Sequence, residues 1–159
     1  MELLKQTALA TFYILNLSPK TTPIKAVELG MCVARASEES GASVERITSI
    51  INHESQWNAS ARSQTNDHGL GQLHCPSKFC SRHPSSEELE LLYDGCSNIE
   101  MMAQWLKDNN NLVERYNPGN PGHAVSIHTM ERRLFDMWRK RSLERLTSKK
   151  WKAVAWSAN

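Results

Sequence analysis

The sequence predicts an all-α fold with at most a minor β-hairpin. Apolar residues recur at helical spacing in five separate segments, whereas the alternation typical of strands is nearly absent. The chain has 159 residues, of which 40% are apolar and 23% charged, which is typical of a globular protein. This length fits one domain that is large enough to have its own core.

The first two helices are predicted from apolar periodicity and from one strong start signal. In the N-terminal segment, one helical face carries Leu4, Ala8, Phe12 and Leu15. That segment has Lys5 as its only basic residue before residue 20 and an interrupted apolar run, so it predicts neither a signal peptide nor a transmembrane helix. Thr22 before Pro23 is typical of an N-cap and first helical position. The inward residues predicted for this second helix are Ile24, Val27, Met31 and Ala34.

A third helix is predicted to begin after Ser43 and to end at Glu54. Its apolar face is formed by Val44, Ile47, Ile50 and Ile51. Glu54 lies four residues after Ile50 and therefore extends this face. Partial burial of a carboxyl group disfavours its charged form, which suits a general acid. The alternative is a surface glutamate on a frayed last turn.

The second half of the chain predicts two more helices. One lies within residues 96–111, with Ser97 and Glu100 as a capping box. Its inward residues are predicted to be Ile99, Met102 and Leu106. The longest helix is predicted over residues 122–146, and the region 61–73 offers the best place for a hairpin.

Charge is concentrated near the C-terminus. The net charge is +2, but residues 131–152 hold nine Lys and Arg against three Asp and Glu. This segment is either a surface that attracts an anionic polymer or a solvated helix face followed by a tail. No nucleic-acid partner is expected.

The four cysteines, Cys32, Cys75, Cys80 and Cys96, can form two disulfides in three alternative pairings. Zinc ligation together with His83 is an alternative, although the spacing is loose for a zinc site. Free thiols are the default for a chain made in the cytosol, and the choice among the three states stays open at this point. Neither a metal nor a cofactor is expected.

Several motifs follow Glu54-Ser55 at defined distances. Ser63 lies nine residues after Glu54, and Gln72, within "GLGQL", lies eighteen residues after it. The segments "DGCSNIEMMAQWL" (94–106) and "RYNPGNPGHAV" (115–125) come later in the chain. In order and spacing these motifs resemble the catalytic domain of lytic transglycosylases, which is related to goose-type lysozyme. The resemblance covers residues 42–138 and departs from the family at His74, which is often methionine there.

The resemblance implies a lysozyme-like α domain, which we place at 42–148. The helices of 1–41 are expected to pack on it, and a basic tail is expected at 149–159. It implies cleavage of the β-1,4 bond between N-acetylmuramic acid and N-acetylglucosamine in peptidoglycan glycan strands, with a 1,6-anhydro product. Glu54 would be the catalytic residue, acting first as acid and then as base. The residues expected to bind substrate are Ser63, Gln72, His74, Tyr116, Asn117 and Trp57, the last because it lies three residues after Glu54.

Two alternatives stay open at this stage. A lysozyme-type hydrolase would need a second carboxylate to activate water, for which Asp67 is the best candidate and Asp94 and Glu114 are weaker ones. A non-catalytic structural module of a virion or secretion machine would keep only the fold. The expected place of action is the bacterial cell wall, reached by delivery with a phage, as a virion component or endolysin, or through a secretion machine.

Overall fold

A computed structural model describes the backbone of residues 2–157 and the side chains of residues 2–145. In these residues the helices are α1 (Glu2–Leu17), α2 (Pro23–Ser40), α3 (Val44–Glu54), α4 (Ser86–Tyr93), α5 (Gly95–Asp108) and α6 (Pro121–Ser157), with a short 3-10 helix at Val113–Arg115. Two short strands, β1 (Asp67–His68) and β2 (Leu73–His74), form an antiparallel hairpin. The predicted all-α, lysozyme-like class with a minor hairpin is confirmed.

Side-chain caps fix the starts of several helices. The side chains of Thr22 and Ser43 accept hydrogen bonds from the backbone in the first turns of α2 and α3, as predicted. The predicted capping box at Ser97 is wrong, because Asp94 caps α5 by accepting from the Ser97 N–H. The capping box of this structure belongs to the unpredicted helix α4 and is formed by Ser85 with Glu88.

The core lies between α1, α2, α3, α5 and the first half of α6. The predicted inward faces of α3 and α5 are buried, whereas those of α1 and α2 are largely wrong. About three quarters of the surface of Leu4 and of Ile24 is exposed to solvent. The residues of these two helices that are buried include Ala10, Tyr13, Ile14, Leu29 and Val33. Both helices are apolar on more than one side, and the close approach of Thr11 to Gly30 selects the side that is buried.

Two disulfides join the four cysteines, so the structure decides among the three open alternatives and against the free-thiol default. Cys32 on α2 is bonded to Cys96 on α5, with their Cα atoms 5.4 Å apart. Cys75 is bonded to Cys80 and closes a small loop directly after β2. With every thiol oxidised, the zinc alternative loses its ligands.

The last helix, α6, extends past the predicted end at residue 146 and includes most of the predicted tail. The side chains of Trp151 and Trp156 lie outside the described residues. Among the helices that the structure describes, none has the length and apolar character needed to cross a membrane.

Candidate active site

A cleft of about 510 Å³ opens between the end of α3, the hairpin and the segment that precedes α6. Six of the seven predicted site residues line it, namely Glu54, Ser63, Gln72, His74, Tyr116 and Asn117. The seventh, Trp57, packs in the core with only 7% of its surface exposed and does not line the cleft. The structure therefore gathers residues that are far apart in the sequence around one carboxyl group.

Glu54 is the last residue of α3, and its side chain keeps 16% exposure. Its Oε1 atom is hydrogen-bonded to Nε2 of His123, which lies in the first turn of α6. The His123 side chain is 4% exposed and packs beneath the cleft surface. One carboxyl oxygen of Glu54 is thus bound inside the protein, while the residue as a whole still borders the cleft.

Sequence reasoning assigned no role to His123, although it lies within the "RYNPGNPGHAV" motif. Its ring stacks on Tyr116, with centroids 6.1 Å apart and planes within 4° of parallel. The His53 ring is nearly perpendicular to the His123 ring, with an angle of 89° between the planes and 4.7 Å between the centroids. A histidine in the first turn of a helix that follows Pro and Gly residues was the available signal, but its partner is 69 residues away.

Tyr116 forms part of the cleft wall and contacts the glycine-containing loop. Its hydroxyl donates a hydrogen bond to the carbonyl of Gly71, and its ring meets Trp105 edge-on at 4.8 Å. Burial raises the pKa of Tyr116 well above its usual value, and the negative charges of Glu54 and Asp67 act in the same direction. Tyr116 therefore stays a neutral phenol throughout the physiological range.

The loop between β1 and β2 is held from below by Asn98 of α5, which is fully buried. Its Oδ1 accepts from the Gly71 N–H at 2.7 Å, and its Nδ2 donates to the carbonyls of His68 at 3.1 Å and Leu92 at 2.8 Å. Gly69 has a φ of +76°, and a Cβ atom there would collide with the Asn98 side chain. The segment 94–106 and the segment "GLGQL" at 69–73 therefore contact each other through Asn98.

Gln72 supports the same loop from within. Its Nε2 donates to the carbonyls of Ala61 at 3.1 Å and Gly69 at 2.9 Å. Since both interactions use the amide nitrogen, the carbonyl oxygen of Gln72 is left for a ligand in the cleft.

Asp67 is the second carboxylate of the cleft, and both of its oxygens already accept hydrogen bonds from protein side chains. Its Oδ2 accepts from Ser63 and Thr65, both at 2.5 Å, and its Oδ1 accepts from Nδ1 of His74 at 2.8 Å. Burial raises the pKa of Asp67, but the hydrogen bonds from Ser63, Thr65 and His74 outweigh burial and hold it below its ordinary value. Asp67 is therefore ionised and orients His74 towards one tautomer.

The two weaker candidates for a second carboxylate, Asp94 and Glu114, make contacts elsewhere and do not line the cleft. Asp94 caps α5, and Glu114 is 3.2 Å from His128 outside the cleft. His68, next to Asp67 in the sequence, is buried between Tyr93 and Asn66. Burial lowers the pKa of His68, with a further contribution from Arg62.

The loop closed by the Cys75–Cys80 disulfide forms one wall of the cleft, which was not predicted from the sequence. Ser77 and Phe79 of this loop line the cleft, as does Trp105 of α5. Aromatic side chains and hydroxyl groups in an open groove suit a sugar chain, which presents both apolar faces and hydroxyl groups.

A family model for the transglycosylase SLT domain matches residues 31–125. The chain belongs to the transglycosylase SLT family. The matched segment runs from the middle of α2 to the first turn of α6 and contains every residue of the cleft described above. The resemblance drawn from the motifs is thereby confirmed, and SLT domains are peptidoglycan lytic transglycosylases. Comparisons with curated proteins and with solved structures gave no significant match.

Proposed function

We propose that this SLT domain cleaves the β-1,4 bond between N-acetylmuramic acid and N-acetylglucosamine and releases a 1,6-anhydro product. The observation that carries the proposal is the position of Glu54, a half-buried carboxyl group at the cleft with one oxygen bound to His123. A general acid must reach the substrate in the cleft, and a hydrogen-bond donor at its other oxygen stabilises the charge that is left after proton transfer.

In the proposed reaction, Glu54 donates its proton to the glycosidic oxygen as the bond to C1 of the muramic acid breaks. The carboxylate then takes the proton of the C6 hydroxyl, and O6 forms the new bond to C1 through an oxocarbenium-like transition state. Glu54 ends in its starting protonation state and no water is consumed. A second catalytic carboxylate is therefore not required.

The hydrogen bonds of Asp67 favour this reaction over hydrolysis. An inverting hydrolase needs a base that accepts a proton from water. Asp67 has a pKa below its ordinary value and accepts hydrogen bonds on both oxygens from three side chains. We propose that Asp67 orders Ser63 and His74, and that these residues bind the sugars together with Gln72, Tyr116 and Asn117.

The site of action that we propose is the bacterial cell wall, where peptidoglycan lies. The two disulfides support delivery into an oxidising compartment, because such bonds persist outside the reducing cytosol.

The test is mass spectrometry of purified peptidoglycan digested with wild type, Glu54→Gln and Asp67→Asn, with Glu90→Gln on the exposed face of α4 as a matched control. Wild type and Glu90→Gln should release muropeptides lighter by one water molecule than those of a hydrolase. Because general acid catalysis contributes roughly 10²–10⁴-fold, Glu54→Gln should lose nearly all of this activity without losing its fold.

Each other result has a defined meaning. Products with free reducing ends would establish hydrolysis, and a loss of those products in Asp67→Asn would return Asp67 to the role of base. No product from folded wild-type protein would support a non-catalytic structural module.

A further inference from the structure

His123 is a histidine that is too deeply buried to touch a substrate yet contacts the proposed catalytic carboxyl. Its Nε2 is bonded to Oε1 of Glu54, and its side chain is 4% exposed. Its action on the reaction, which rests on the proposed function of Glu54, must therefore pass through Glu54.

The surroundings of Nδ1, the second ring nitrogen of His123, indicate which of the two nitrogens carries the hydrogen. Nδ1 of His123 is buried and has no hydrogen-bond partner among the described residues. If Nδ1 carried a hydrogen, a donor would be buried without an acceptor, which is costly. The tautomer with its proton on Nε2 leaves only a lone pair at Nδ1, so Nε2 donates to Oε1 of Glu54.

Neighbouring rings hold the imidazole in this orientation. Tyr116 covers one face in a parallel stack, and His53 of α3 meets it edge-on. Tyr116 is itself tied to the Gly71 carbonyl and stays neutral because burial raises its pKa. The titratable groups that face His123 are thus Glu54 and His53 from α3 and Tyr116 from the segment before α6.

We propose that His123 is a positioning residue that holds Oε1 of Glu54 and leaves Oε2 as the atom that exchanges the proton. In the acid form, Oε2 carries the hydrogen and Oε1 accepts from Nε2. After the proton passes to the glycosidic oxygen, the same N–H stabilises the carboxylate, and Oε2 then accepts the proton of the C6 hydroxyl. His123 keeps its own proton throughout.

The kinetic test uses His123→Leu, which removes both nitrogens, and His123→Gln, whose amide nitrogen can reach the position of Nε2. Exposed His83→Gln serves as the control, since it replaces a histidine that does not line the cleft and leaves the Glu54 bond in place. In His123→Leu, kcat should fall about 10²-fold, as expected when a catalytic group loses its alignment, with little change in KM. His123→Gln should recover most of this loss.

The pH profile separates positioning from simple support of the fold. Without the N–H donor the negative form of Glu54 loses a charge-assisted hydrogen bond, so the alkaline limb of the rate profile should move up by about one pH unit in His123→Leu. His123→Gln and His83→Gln should keep the wild-type limb. A wild-type kcat and pH profile in folded His123→Leu would overturn the proposal.

A second measurement does not depend on activity. Nuclear magnetic resonance of ¹⁵N-histidine-labelled protein should show His123 with its hydrogen on Nε2, and Glu54→Gln should shift the signals of that ring. A hydrogen on Nδ1, or a ring that is insensitive to Glu54→Gln, would overturn the proposal even if His123→Leu did not fold. If wild type released no anhydro product, the proposed function would fail, while this spectrum would still decide whether His123 holds Glu54.

Discussion

Replacing Asn98 by alanine is predicted to destabilise the domain and to release the loop that carries Gln72. The substitution removes three hydrogen bonds, to the Gly71 N–H and to the carbonyls of His68 and Leu92, in a position with no solvent exposure. At about 1 kcal/mol for each bond, the free energy of unfolding should fall by about 3 kcal/mol. This is a large effect, because a domain of this size is stabilised by only about 5–15 kcal/mol.

The assay for Asn98→Ala is urea unfolding followed by circular dichroism, together with the rate of anhydromuropeptide release. Asn16→Ala is the matched control, because Asn16 makes one hydrogen bond, to the Phe12 carbonyl, on the exposed side of α1. The control should change the free energy of unfolding by less than about 0.5 kcal/mol. An Asn98→Ala midpoint equal to that of Asn16→Ala would refute the argument that Asn98 holds the loop.

Three more perturbations test other parts of the structure. Replacing Cys32 and Cys96 together by serine opens a link that spans 64 residues, and the chain-entropy model predicts a loss of about 4 kcal/mol in urea unfolding. Tyr116→Phe removes the hydrogen bond to the loop carbonyl and should lower the free energy of unfolding by about 1 kcal/mol, measured in the same way. Hydrogen bonding to Glu131 raises the pKa of His128, against burial, with Glu114 adding to the effect. The stabilisation from His128 is therefore complete below about pH 6.5 and is lost as the pH rises through the raised pKa. The difference in unfolding midpoint between wild type and His128→Gln should shrink over that range, whereas exposed His83→Gln should show no such trend.

The extent to which the sequence predicts the structure depends on how many faces of a helix are apolar. In α3 a single apolar stripe leads directly to Glu54, so its face and its end were both predicted correctly. In α2 two stripes compete, and Ile24 and Leu29 are equally plausible core residues by spacing. The choice between them depends on contact with α1, which a periodicity argument does not contain.

For the site, too, the sequence predicts local structure better than contacts between distant segments. The residues within the motifs reach the cleft because their spacing reflects a local structure, a helix end followed by a tight hairpin. The bond between Glu54 and His123 and the pairing of Cys32 with Cys96 join residues more than sixty positions apart. Such pairs follow from the packing of α3 on α6 and of α2 on α5, so the spacing of single motifs does not reveal them.

The burial of α1 bears on how this domain can be excised or joined to other proteins. The family match begins at residue 31, in the middle of α2, yet Ala10, Tyr13 and Ile14 of α1 are fully buried. The Tyr13 hydroxyl also donates to Oε1 of Glu45 on α3 at 2.9 Å. A fragment cut at the family boundary would lose half of α2 and expose the apolar surfaces that α1 covers. The smallest segment able to fold independently is therefore longer than the recognisable one, and a truncation or fusion junction belongs before α1.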